Sequence, residues 1–348
     1  MLREIGGRPV GFDRPVFVIA EIGLNHSGSV ERALAMVDAA AWAGASAIKL
    51  QTLKADDLVS AACPAPAHVR AASLRDFFAT FELNADAHRA VIRRARDRGL
   101  AVMATPFSLE LVDMLQSVGI DAFKIASGDL TFDGLIGAAV STGRPLVIST
   151  GMASLLEVGR AFDLARTAGA TEVAALHCVS AYPTPIDSQN LRAIATLERF
   201  LRVPVGLSDH AAGTNAAIAA VALGASIYER HLVLDDDHDA IDGAVSSTPS
   251  ELKALIETME LTRRSLGDGR KVCQPAEKPN VVPSRRGLYA ARPLRAGTRL
   301  SAADIMVLRP ATSLTPAACT TLVGSVLTRD VAAGSAFAAT DIAMERAS

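Results

Sequence analysis

The sequence predicts an α/β protein, a (β/α)8 TIM barrel followed by a small, mostly β domain. Three observations carry this. Eight short apolar runs recur along the chain, each followed by a helical pattern. No Gly-rich dinucleotide fingerprint follows the first run, which argues against an open doubly wound sheet. Beyond Gly267 the composition turns polar and rich in Gly and Pro, and an internal repeat follows.

The runs are VFVIAEIG (16–23), SAIKLQT (46–52), AVMATP (101–106), AFKIAS (122–127), PLVIST (145–150), VAALHC (173–178), PVGLSD (204–209) and SIYERHL (226–232). Near-continuous apolar strands alternating with helices imply a parallel sheet covered on its faces. Eight such units match a barrel, whose usual length is about 250 residues. The last helix announces itself most clearly. Thr248-Pro249-Ser250-Glu251 forms a capping box with proline at the first helical position. Leu252, Leu255, Ile256 and Met259 then mark one apolar stripe, and Gly267 stops the helix. One connection is long. Residues 53–81 follow strand two on the side where barrel active sites are built, so they read as a lid or substrate wall, or else as a surface excursion.

The expected boundaries are 1–267 for the barrel, 268–283 for a linker, and 284–348 for the small domain. In that domain ARPLRAGTRLSAADI (291–305) aligns with TRDVAAGSAFAATDI (328–342) at a constant offset of 37. A single repeat pair is too short for a solenoid, so a pseudo-twofold domain is expected.

A chain of 348 residues, half of them hydrophobic, can bury a large core. Its net charge of −2, with signs interspersed, favours neither nucleic acid nor a membrane surface as partner. Cys63, Cys178, Cys273 and Cys319 form no CxxC pair, which argues against a zinc site or a disulfide framework. The first residues lack a signal-peptide run and no stretch is long enough to span a bilayer, so a cytoplasmic location is expected.

In a barrel, polar residues at the C-terminal ends of strands point to the site. Here they are Glu21 and Asn25, Lys49 and Gln51, Lys124 and Ser127, Ser149, then His177, Ser180 and Tyr182, Ser208 and His210, and Glu229 and His231. Alternation along a strand puts Ser208 and His210 on one face, and Glu229 and His231 on one face. Two imidazoles at neighbouring strand ends can hold a divalent metal and leave positions open for water or substrate. A lysine inside a barrel strand is costly unless paired or facing an anion. Lys49 and Lys124 therefore either meet an anionic substrate with Ser127, Ser149 and Ser208, or form internal salt bridges to Glu21 or Glu229.

A set of ordered motifs resembles the sialic acid synthase family: AEIGLNHSG (20–28), IKLQT (48–52), ATPFS (104–108), FKIASGDL (123–130), STGM (149–152), HCVSAYPTP (177–185), GLSDH (206–210) and ERHLVLDDDHDAID (229–242). The segment 284–310 resembles that family's antifreeze-like (SAF) domain. The resemblance implies a transferase that condenses phosphoenolpyruvate with an N-acylated hexosamine to give a nine-carbon 2-keto sugar acid. It implies His210 and His231 as ligands of a divalent metal, Mn2+ or Mg2+. It implies Lys49, Lys124, Ser127, Ser149 and Ser208 as contacts to phosphoenolpyruvate, with Ser180 where some members have asparagine. Glu21, Gln51, Tyr182 and Asp242 match residues near the sugar and the reacting carbons, Glu21 for proton handling and Asp242 to orient a hydroxyl or a metal-bound water. Arg309 matches an arginine that reaches the sugar, in that family across a domain-swapped homodimer. The family often has glycines after this Arg-Pro, where this chain has Ala311-Thr312-Ser313. His26 is expected to support Glu21, the acidic run 235–239 with His238 to be a solvated loop, and Arg285 and Arg286 to dock the two domains. The rivals are a related barrel that condenses phosphoenolpyruvate with a phosphorylated aldose, a metal-dependent aldolase or isomerase, and a non-catalytic saccharide-binding protein.

Overall fold

The computed structural model describes residues 2–64, 71–235, 237 and 240–343. Two compact units divide the chain, Met1–Gly267 and Asp268–Ser348. In the first, strands and helices alternate as β1 (Phe17–Gly23), α1 (Val30–Ala43), β2 (Ala47–Thr52), α2 (Ala85–Asp97), β3 (Ala101–Pro106), α3 (Leu109–Val118), β4 (Ala122–Ile125) and α4 (Asp133–Ser141). They continue as β5 (Leu146–Ser149), α5 (Leu155–Thr167), β6 (Val173–Cys178), α6 (Ala193–Leu201), β7 (Val205–Asp209), α7 (Asn215–Ala222), β8 (Ile227–Leu232) and α8 (Pro249–Leu266). Each strand pairs in parallel with its neighbours, and β8 pairs with both β7 and β1, so the sheet closes.

The barrel's contents follow from a side-chain period of two. Val18, Ala20 and Ile22 of β1, with Ile48 and Leu50 of β2, face outward into the layer beneath the helices. The alternate residues Phe17, Ile19, Ala47, Met103, Ala122, Val147 and Leu176 face inward. They fill the lower barrel together with Leu2, Ile5 and Val10 of the N-terminal segment. One further step along each strand brings Glu21, Lys49, Thr105, Lys124, Ser149, Ser208 and Glu229 to the same inward face, all buried. An apolar plug therefore forms the floor beneath a polar layer.

The strands are shorter than the apolar runs at several ends. β4 stops at Ile125, and Ser127 lies in a 3-10 turn, Ser127–Asp129, rather than on a strand. His210 follows β7 by one residue. The capping box at Thr248 forms as expected, with Leu252, Leu255 and Met259 buried and Ile256 packed partly against the core. In the long connection, the described residues contain two short helices, Ala55–Leu58 and Leu74–Ala79. Phe77, Phe78 and Leu58 pack on Leu24, Leu53, Phe81 and Phe107, which pins this excursion to the barrel rim. Gly28 permits the fit, because a Cβ there would sit 2.3 Å from the Thr80 carbonyl oxygen. Residues 65–70 of the excursion lie outside the described set.

The expected linker 268–283 is not structureless. A 3-10 turn, Pro275–Glu277, leads into a helix, Lys278–Ser284, because proline is tolerated in a first helical turn. The rest of the second unit has an antiparallel pair, Gly287–Ala290 with Ile305–Leu308, over a core of Leu288, Leu294, Leu300, Leu327, Val331 and Phe337. The repeat is a pseudo-twofold in its hydrogen bonds. Leu294 and Val331, 37 apart, donate to each other's carbonyls at 2.8 Å. Gly297 donates to Leu327 as Gly334 does to Ala290, and Leu300 to Ser325 as Phe337 does to Leu288. Arg292 pairs with Asp304 as Arg329 pairs with Asp341. Arg286 donates to the Val307 carbonyl within this unit. No helix among the described residues is long and apolar enough to cross a membrane.

Gly206 of β7 passes so close to β8 that a Cβ would lie 2.1 Å from the Ile227 carbonyl oxygen. Gly206→Ala is expected to cost at least about 1–3 kcal/mol, as overpacking does in well-filled cores. A drop in unfolding free energy by that amount in urea denaturation is the check, and an unchanged value would refute the close approach.

Candidate functional site

A cavity of about 310 Å3 opens at the C-terminal ends of the strands. Its walls include Lys49, Gln51, Lys124, Ser127, Ser149, Ser180, Tyr182, Ser208, His210 and His231. These are all but three of the thirteen residues to which the family resemblance gives a role at the substrates or the metal. Glu21 and Asp242 stand behind the wall, against Lys49 and His231. Arg309 is an exposed residue of the second unit, just after the strand Ile305–Leu308.

Both lysines are paired within the barrel. Lys49 Nζ lies 2.6 Å from Glu21 Oε2 and 3.6 Å from Glu229 Oε2. Lys124 Nζ lies 3.8 Å from Glu229 Oε1 and donates to Ser149 Oγ at 2.5 Å and to the Ile125 carbonyl. Ser208 Oγ donates to Glu229 Oε1 at 2.9 Å. Glu229 thus bridges the two ammonium groups. Of the two readings left open for the lysines, the structure shows the internal salt bridges, and they lie at the cavity. The Lys49–Glu21 contact is ionic rather than a well-directed hydrogen bond, as neither Glu21 oxygen has a hydrogen-bond partner.

Burial drives Glu21's carboxyl above its ordinary pKa, by more than Lys49 pulls it down. For Glu229 burial is outweighed by Lys124 and Lys49, and its pKa falls to about 2. Burial disfavours the Lys49 ammonium, but Glu21 and Glu229 more than restore it. Lys124 has less compensation, and burial lowers it. The layer thus holds Lys49 and Glu229 in their charged forms, while burial works against the charges of Lys124 and Glu21.

The two imidazoles face each other with ring centroids 5.6 Å apart. Tyr182 stacks on His210 at 4.1 Å, with 28° between planes. His210 Nδ1 sits 3.1 Å from the Val179 carbonyl oxygen, to which it donates as Nδ1–H, leaving Nε2 free as a lone-pair donor. His231 Nδ1 sits 3.3 Å from Asp242 Oδ2 without a directed hydrogen bond between them. Burial lowers His231 to about 4, only partly offset by Asp242, so the ring is neutral near pH 7. Burial also acts on His210, but Cys178, 3.7 Å from Nδ1, outweighs it and raises the ring's pKa. The donor set fits a divalent ion with two protein ligands. Among the described residues no group of three His, Cys, Asp or Glu gathers as a metal site, so further ligands would be water or substrate.

Asn25 holds this end of the barrel together. Its amide donates to the Leu232 carbonyl at 2.7 Å and to Ser246 Oγ, and its Oδ1 accepts from Asp242 N at 3.0 Å. It was visible in the sequence only as a strand-end polar residue without a role. Thr105 and Cys178 were not singled out, although stepping by two from Met103 and from Leu176 reaches them. Asp129, with a buried oxygen lacking a partner and a pKa raised by burial to about 6, lies in the turn that ended β4 early. One expectation fails and a second holds only in part. His26 meets Gly28 N, at 3.0 Å, and has His88 as its electrostatic neighbour, instead of supporting Glu21. In the acidic run Asp235 is exposed as expected, whereas Asp237 forms an ion pair with Arg32 and its side chain is only 11% exposed. Asp236 and His238 lie outside the described residues, as does position 239.

His26 and His231 are both buried and both lowered to about 4 by desolvation. Their folded pKa lies below the unfolded value near 6.5, so the unfolded chain binds the extra protons. Stability of the metal-free protein is expected to fall as pH drops from about 6.5 to about 4, with a slope of up to about two protons. His26→Gln should remove about one proton from that slope. Urea unfolding across this range tests both, and an unaltered slope in the variant would contradict the assignment.

Comparison with known proteins agrees with this geometry. The NeuB family model matches residues 36–271 and the SAF domain model matches 285–345. The N,N'-diacetyllegionaminic acid synthase of Legionella pneumophila is 33% identical, covering 95% of this chain and 96% of that one. A pseudaminic acid synthase of Campylobacter jejuni is 32% identical over 94% of this chain and 97% of its own. The solved N-acetylneuraminic acid synthetase of Leptospira borgpetersenii, a complex with citrate, superposes with a TM-score of 0.73 at 33% identity, over 80% of this chain and 94% of that chain. With a barrel, a charged cavity at the barrel's C-terminal mouth and a SAF domain following in the sequence, the chain belongs to the NeuB family.

Proposed function

We propose that this protein is a nonulosonic acid synthase, a transferase that condenses phosphoenolpyruvate with an open-chain N-acylated hexosamine to give a nine-carbon 2-keto sugar acid and phosphate. One observation carries the reading. Two buried lysine ammonium groups, with serine hydroxyls between them, share a single cavity with two facing imidazoles.

In this reading Lys49, Lys124, Ser127, Ser149 and Ser208 grip the phosphate and carboxylate of the enol phosphate, with Ser180 at their edge. Charge-assisted hydrogen bonds in a water-poor cavity hold such a dianion strongly. A divalent ion, Mn2+ or Mg2+, on His210 and His231 would supply Lewis-acid polarisation of the sugar aldehyde. Asp242 orients a sugar hydroxyl, and Tyr182 packs on His210 to fix its plane. Gln51 takes a sugar hydroxyl. C3 of phosphoenolpyruvate forms the new bond to the aldehyde carbon, whose oxygen gains a proton. Water adds to C2 and gives up one proton; the C2–O bond of the phosphate ester then breaks, and the hydroxyl left on C2 loses its proton to the departing phosphate as the ketone forms. Glu21, poised by burial to accept a proton, takes the one from water across Lys49 Nζ. Arg309 reaches the sugar from the SAF domain, in a domain-swapped homodimer, as the family resemblance implies.

The test is incubation with phosphoenolpyruvate, Mn2+ and N-acetylmannosamine, its 6-phosphate or a diacetamido-trideoxy hexose, with phosphate release and product mass read together. Release that needs both substrates is expected with one of them. Phosphate-free turnover, or sugar binding without turnover, would sink the reading. Lys124→Met should lower kcat/KM for phosphoenolpyruvate by at least about thirtyfold, the loss of about 2–5 kcal/mol that follows truncation of a buried charged partner. His210→Ala should abolish metal-dependent turnover in a folded barrel, whereas full activity would remove His210 from the site.

A further inference from the structure

The two histidines are carried by strand ends that are locked to each other from behind, on the face of the sheet away from the cavity. Asp209 and Arg230 stand directly opposite one another where β7 pairs with β8. Each is the chain neighbour of one histidine, Asp209 of His210 and Arg230 of His231. Alternation turns them away from the cavity, yet both are nearly fully buried, at 2% and 5% side-chain exposure.

Their contacts converge on the backbone around His210. Arg230 Nη1 lies 3.5 Å from Asp209 Oδ2 and donates to the Ala211 carbonyl oxygen at 2.5 Å. Ala211 N donates to Asp209 Oδ1 at 2.8 Å. Both chain neighbours of His210 are thereby held by one guanidinium and one carboxylate. Tyr228 Oη donates to Asp209 Oδ2 at 2.7 Å, and Arg230 Nε donates to Ser247 Oγ on the short strand that pairs beside His231.

We infer that Asp209 and Arg230 are positioning residues that set the spacing of His210 and His231, and so the affinity of the site for a divalent cation. A buried ion pair is weak support for stability as such, since an apolar pair of similar volume often serves as well. A planar fork reaching a carboxylate, a carbonyl and a hydroxyl at once fixes geometry in a way an apolar pair cannot. The inference rests on the proposed metal site, and its test separates the two.

The full-length protein is stripped with chelator and titrated with Mn2+, free Mn2+ being read by electron paramagnetic resonance. Binding of phosphoenolpyruvate to the metal-free protein is measured in parallel. Asp209→Asn alone would strand a buried cation, so the variant is Asp209→Leu with Arg230→Met. Arg230→Lys is the second variant, keeping Asp209's partner charge while losing the fork. Both are expected to bind Mn2+ about ten- to a hundredfold more weakly, as loss of outer partners does at metal sites, with Lys the milder. Phosphoenolpyruvate binding should be unchanged, which a general loosening of the barrel would not allow. Parent-like Mn2+ affinity in Arg230→Lys and in the double variant would overturn the inference alone. Absence of His210-dependent Mn2+ binding in the parent would overturn the metal reading and the inference with it.

Discussion

Four ionisable side chains, Glu21, Lys49, Lys124 and Glu229, meet inside the barrel where water is nearly excluded, and the site depends on how they offset each other's burial. Two ammonium groups in such a place are tolerable only with carboxylates at hand. Glu229 serves both lysines, and Glu21 closes on Lys49. Coulomb attraction is strong here because the plug of Phe17, Ile19, Met103, Val147 and Leu176 seals the barrel from below. The polar layer therefore has one open side, the mouth. An anion entering from there meets cations whose positions are already fixed, so less ordering is left for binding to accomplish.

Much of this was legible in the chain. A period of two, applied to eight apolar runs, gives the barrel and puts Lys49, Lys124, Ser208, Glu229 and His231 on its inner face. What could not be read was which carboxylate would meet which lysine. That depends on the stagger between strands, which places Glu21 opposite Lys49 and Glu229 opposite Ser208. The roles of Asn25, Asp209 and Arg230 were hidden for a related reason. Each joins segments far apart in sequence, and nothing local distinguishes Asn25 from an ordinary loop residue. The pairing of Arg32 with Asp237 is of the same kind, and it overrode a composition that read as solvent-exposed.

The short helix within the linker segment was not legible for a different cause. Gly and Pro clusters mark breaks in helices, but proline is compatible with a first turn, and Lys278–Ser284 carries Pro279 there. The excursion after β2 was legible as an insertion. Its attachment was not, because the aromatic contacts of Phe77 and Phe81 to the rim are tertiary.

In the second unit the reciprocal bonds joining Leu294 to Val331, and Gly297 and Gly334 to Leu327 and Ala290, all cross from one copy of the repeat to the other. Each copy pairs its own two ends, Ala291 with Asp304 and Thr328 with Asp341, while its middle is completed only by the other copy. Half of this unit alone would therefore keep its outer turn but leave the amides and carbonyls around Leu294 or Val331 without partners.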